Sequence, residues 1–156
     1  MTNVEEIQNK IAELQKALDE MKRAPKMPNF VALPDRSYKV AQTMVTVAQY
    51  RAYCEDTGAE MPEQPEPVRP DNPVTCVSWH DARAYAEWLS NKTGKTCRLP
   101  TEDEYEHYCG GHIKGNDEIA VYGQSEIKPV KTKKPNKYGL YDVLGCAWEW
   151  TDSRYE

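Results

Sequence analysis

Apolar residues fall at Val4, Ile7, Ile11, Leu14, Leu18 and Met21. These spacings of three and four predict a helix over 3–23 with a single apolar seam, the a and d positions of three heptads. Glu6 to Lys10 and Asp19 to Arg23 add i,i+4 charge pairs of favourable orientation. One such helix is marginal in water while its seam stays wet. The pattern therefore predicts a homo-oligomer formed through this helix, with folding back onto its own domain as the other way to cover the seam. Branched residues stand at both a (Val4, Ile11) and d (Ile7), which leaves dimer and trimer open, the trimer favoured.

Beyond the helix the pattern breaks. Residues 24–34 carry three prolines and read as a linker, so the chain divides into 1–24, a linker over 25–37 and a globular part over 38–156. A short strand is expected within 38–45. Three further helices share one start signal: Thr46 followed by Gln49, Ser78 by Asp81, and Thr101 by Glu104, each the pattern of a capping box. The first is expected to stop at Gly58 and the second at Gly94, the usual place for a left-handed residue. The third ends at the glycine pair 110–111. Ala82, Tyr85, Ala86 and Leu89 mark the buried face of the second, with Trp88 beside them. Residues 61–73 hold five prolines and predict a surface loop. A strand is expected over 126–132, followed by a lysine-rich solvated turn.

The segment 136–151, NKYGLYDVLGCAWEWT, mixes both signals. Past Gly145 the period becomes two, placing Ala147 and Glu149 on one side and Trp148 and Trp150 on the other, which predicts a strand packing its tryptophans inward. Asp142 and Glu149 flank a bend able to turn carbonyls inward, an oxygen-only arrangement suited to a hard cation.

The 156 residues carry a formal charge of -5, which argues against nucleic acid or anionic membrane as partner. No apolar run reaches the roughly 20 residues of a membrane span, and no signal-peptide core opens the chain; a cytoplasmic protein is expected. The five cysteines, 54, 76, 97, 109 and 146, lack zinc spacing and read as reduced thiols, mostly packed inside.

In collinear order, MVTVAQYRAYCEDTG, NPVTCVSWHDARAYAEWLSNKTGK, CRLPTEDEYEHYCGG and PNKYGLYDVLGCAWEWTDSRYE resemble the sulfatase-modifying-factor family of formylglycine-generating enzymes and their non-catalytic relatives. The resemblance implies an α+β, C-type-lectin-like fold over 38–156. It also implies a structural Ca²⁺ held by Asp142, the carbonyls of Gly145 and Ala147, and Glu149. Cys146 stands where the family usually has Asn, outside the calcium positions. In the enzymes, a further segment with an Arg-Gly-Gly-Ser-Trp motif and two copper-binding cysteines follows the point where this sequence ends. His80, His107 and His112 do not resemble the iron-binding cluster of the sulfoxide-synthase branch. The expectation is a non-catalytic, oligomeric binding or scaffold protein without copper, a phage or bacterial accessory protein whose protein or ligand partner is unidentified. The alternative is a copper-dependent cysteine oxidase completed by a partner chain.

Overall fold

The computed structural model describes residues 3–109, 127–143 and 149–151. In chain order its elements are α1 (Val4–Arg23), β1 (Phe30–Ala32), β2 (Lys39–Ala41), α2 (Val47–Thr57), α3 (Trp79–Thr93) and α4 (Glu102–Tyr108).

Asn3 caps α1, its side chain accepting the N–H of Glu5; acids fill the first turn and bases the last, as the helix dipole favours. No residue of α1 is buried. Val4, Ile7, Ile11, Leu14 and Leu18 are each 48–67% exposed. The seam is therefore not folded back onto the domain. The ion pair seen on this helix is Lys10 to Glu13 at 3.7 Å, rather than the two i,i+4 pairs expected.

The stretch read as linker carries a strand. Phe30, Val31 and Ala32 pair antiparallel with Ala41, Val40 and Lys39, and Leu33 is buried beyond them. Its prolines, at 25, 28 and 34, flank the strand without interrupting it, so proline content overstated the gap. β2 is the short strand expected within 38–45.

All three capping boxes form, each hydroxyl accepting the N3 backbone N–H and each N3 side chain returning to the cap. Gly58 and Gly94 close α2 and α3 at φ +77° and +70°, where a Cβ would be strained. The third helix ends at Cys109 in right-handed conformation; the glycine pair lies outside the described residues. Arg98 grips Glu104 through two hydrogen bonds of 2.6 and 2.8 Å, tying the approach of α4 to its capping residue.

Among the described residues the core gathers in two clusters. Tyr50, Tyr53 and Cys54 of α2 meet Tyr85 and Leu89 of α3 in one, with the Tyr50 and Tyr85 rings stacked at 5.8 Å. Leu33, Tyr108, Cys109, Leu140 and Val143 form the other. The proline-rich loop is anchored against α2 by Val47 N–H to Asn72 O at 2.8 Å and Ala48 N–H to Pro70 O at 3.0 Å.

In the last segments the strand expected over 126–132 and the inward packing expected of Trp150 are not found, and 144–148 lie outside the described residues. Residues 127–132 form no strand: Lys131 takes φ +65° and the chain turns there. Glu149 and Trp150 are not in a strand either, and Trp150 is 48% exposed, its indole N–H donating to Val77 O at 2.8 Å. A tryptophan with a polar partner at the surface satisfies its donor without entering the core. Trp148 lies outside the described residues.

Candidate functional site

The turn over 136–140 builds the floor of the site. Asn136 Oδ1 accepts the N–H groups of Tyr138 and Leu140, while its amide donates to Tyr108 O at 2.7 Å. Gly139 takes φ +81°, as the turn requires. Leu140 is thereby driven into the core, and Tyr141 N–H reaches Gln42 O at 2.9 Å, joining this turn to the end of β2.

Asp142 follows at φ +56°, a left-handed conformation that aspartate tolerates better than most side chains. It is 1% exposed. Its Oδ2 accepts the Lys131 N–H at 2.9 Å, whereas the buried Oδ1 has no protein partner. Burial raises its carboxyl above the ordinary value, with the Lys131 N–H acting in the other direction. An orphaned buried carboxylate oxygen is costly unless something outside the protein's own donors meets it.

Glu149 is the second acid. The residue as a whole is exposed and lines the cavity, while its carboxyl group is desolvated. That desolvation comes first, and the charge of Asp142 second, in pushing its pKa up to about 8; the Tyr105 hydroxyl acts against both. Tyr105 OH donates to Val143 O at 2.5 Å, beside the Cys109 thiol at 3.5 Å from the same carbonyl.

Two acids raised by burial, one of them also by the other's charge and one with an unpartnered oxygen, fit a hard divalent cation: its charge would oppose both shifts and its shell would take Oδ1. Gly145 and Ala147, expected as carbonyl ligands, lie outside the described residues. Among the described residues no group of three or more His, Cys, Asp or Glu side chains gathers as a metal site.

The other chemically capable side chains are dispersed. Cys54 and Cys109 are buried, Cys97 is half-buried, Cys76 is exposed, and all four are free; Cys146 lies outside the described residues. Cys97 packs against the α2–α3 cluster, so of these four Cys76 alone departs from the expectation of thiols mostly packed inside. His107 joins Asp35 at 3.1 Å, Arg36 at 3.3 Å and the Tyr138 hydroxyl at 3.3 Å, a clasp between the chain ahead of β2 and α4. His112 lies outside the described residues. The pattern of residues pointed to none of the Tyr105, Cys109 and Tyr138 roles, because each depends on a carbonyl or ring brought from over 30 positions away.

A cavity of about 650 Å³ lies between the two hydrophobic clusters, walled by Tyr50, Tyr85 and Leu89 on one side and Tyr108 and Val143 on the other. That volume is within the usual range for small-molecule and peptide sites.

The architecture is that of a mixed domain with helices around a small antiparallel sheet, closed by an acidic turn. Residues 13–156 match the sulfatase-modifying factor enzyme 1-like domain, and the chain belongs to that family. It is 36% identical over 118 residues to the formylglycine-generating enzyme of Bos taurus, covering 58% of this chain and 30% of the relative. It is 38% identical over 107 residues to the inactive C-alpha-formylglycine-generating enzyme 2 of the same organism, covering 54% and 34%. Among solved structures, PvdO from Pseudomonas aeruginosa superposes with a TM-score of 0.61 at 25% identity, covering 85% of this chain and 69% of that one. The chain spans about a third of the length of the curated relatives it matches. No helix among the described residues is long and apolar enough to cross a membrane.

Proposed function

We propose that this chain is a non-catalytic binding or scaffold module of its family, held as a homo-oligomer by α1. The observation that carries the reading is the bare seam: five large apolar side chains along three heptads, each about half exposed or more, on a helix with no buried residue. Surfaces of this kind mark an interaction site. A second copy of the same seam is the simplest match, because knobs at a and d fill the holes of an identical helix. Branched residues at both positions favour the trimer. Oligomerisation would multiply weak contacts made by each domain. The inactive relative supports a role without turnover.

In this reading Ca²⁺ is structural, held by Asp142 and Glu149 with Gly145 and Ala147, and its chemistry is charge neutralisation at the acidic turn. A phage or bacterial accessory role suits a small domain on an oligomerising handle.

Light scattering on the full chain and on a variant lacking residues 1–24 tests the proposal. The full chain should have two or three times the monomer mass and the deletion variant the monomer mass; equal masses refute it. Anaerobic Cu(I) titration should show no stoichiometric thiolate-linked uptake, and a one-to-one complex would point instead to the cysteine oxidase completed by a partner.

A further inference from the structure

Among the described residues β1 and β2 form a two-stranded sheet, which is scant protection for a strand edge. The register pairs Ala41 with Phe30, Val40 with Val31 and Lys39 with Ala32. Gln42 N–H donates to Asn29 O at 2.7 Å, so the pair one step beyond is a hydrogen-bonded one. Antiparallel ladders alternate. Val40 therefore exchanges its hydrogen bonds with Val31, and Lys39 and Ala41 turn their N–H and C=O groups to the other edge. No residue takes them up there among the described residues.

That edge borders the cavity. Lys39, Val40 and Ala41 all contribute to its wall. Consecutive strand residues point to opposite faces, so a wall containing all three is made by the strand's edge rather than by one face. Two phenols add to the demand for a partner. Tyr85 is 95% buried, at 5% exposure, and lines the cavity, and its hydroxyl has no hydrogen bond; the Tyr38 hydroxyl, also buried at the cavity wall, has none either. At the rim, Lys39 and Lys95 are exposed.

The geometry points to β2 as an acceptor edge for an extended peptide segment of a partner protein. The segment would add as a third strand beside Lys39–Ala41, set alternate apolar side chains between the two core clusters, and place an acidic flank against Lys39 and Lys95. Main-chain hydrogen bonds supply affinity in such strand addition, and the pockets for alternate side chains supply specificity. A small apolar molecule would fill the volume but leave the outward N–H and C=O groups of two residues unmet. This deepens the binding-module reading and rests on it. Its test is independent of α1, since the oligomer mass reports on the helix alone.

A phage-displayed library of random eight-residue peptides, panned against the full chain, is the probe. Synthetic copies of the retained peptides should show apolar residues at alternate positions. They should bind Ala41→Pro at least tenfold more weakly, because proline removes an outward N–H while leaving the β1 ladder intact. Thermal melting and circular dichroism should show that variant folded. Peptides N-methylated at the bonding amides should also bind the unaltered chain at least tenfold more weakly, which keeps the test decisive if Ala41→Pro fails to fold. No retained peptide, or peptides indifferent to both changes, overturns the proposal. Binding of 1-anilinonaphthalene-8-sulfonate with no peptide binding would overturn it too, in favour of a small-molecule pocket.

Discussion

α1 and α3 begin from the same kind of pattern and end in opposite states. Both are capped at the N-terminus, both carry apolar residues at helical spacing, and both finish on a basic turn. In α3, Tyr85 and Leu89 are 4–5% exposed against α2; in α1 the matching side chains lie open. Periodicity identifies which face of a helix must be covered, and nothing in it says by what. The acidic turn repeats the lesson in polar terms. Thr46, Ser78 and Thr101 each meet their own chain's N–H groups, whereas Asp142 keeps one buried oxygen unmet.

Truncating each helix separates the two cases most sharply. Leu89→Ala should cost about 2–5 kcal/mol by denaturant unfolding, as buried leucines do. Leu14→Ala should lower the midpoint in a way that depends on protein concentration, because its cost falls on the oligomer. An equal loss from both at every concentration would mean that α1 is covered within one chain.

Next in size is the acidic turn. With Ca²⁺ at 100 times its dissociation constant, a folded-state site adds about 2.7 kcal/mol; chelation with EGTA should lower Tm correspondingly, and an unchanged Tm in a sample shown to contain calcium counts against the site. Without metal the sign reverses for Glu149. Its folded pKa is raised to about 8 from 4.5, so the folded state prefers the protonated form. That stability is fully present below about pH 4.5 and is lost as pH rises through 8. Glu149→Gln should therefore raise the metal-free Tm at pH 8–9 relative to the unaltered chain and remove the calcium response. A lower Tm in both conditions would contradict this account.

The caps come last. Ser78→Ala should cost about 1 kcal/mol, since it orphans the Asp81 N–H. Glu104 tests the same device under charge: Arg98 first, then the Thr101 N–H, hold its pKa down to about 2. Its contribution is present above the unfolded value of 4.5 and fades as pH falls towards 2. Glu104→Gln should flatten that acid limb of the stability curve, and an unaltered limb would show the pair to be inert.

Legibility followed the range of the interactions. The capping boxes, both glycine stops and the buried face of α3 depend on residues within four positions of each other, and the amino-acid pattern contained them all. β1 was hidden among prolines because its identity as a strand depends on β2. The strand expected over 126–132 does not form over 127–132, because alternation marks a strand only where a neighbour takes the hydrogen bonds; the one expected after Gly145 lies mostly outside the described residues. Asp142 and Glu149 were legible as acids beside a bend. That one carries an orphaned oxygen, and that burial raises both while Asp142 further raises Glu149, needed the fold.

By itself, then, the sequence determined the local punctuation of this protein, its helices with their caps and its apolar faces, along with the family to which it belongs. The packed chain set which faces are covered, where Trp150 sits, and that a cavity lies between the core clusters beside a strand edge unpaired among the described residues. Backbone torsions and caps are settled within a turn of chain; burial and pairing require surfaces that meet only after the whole chain has folded.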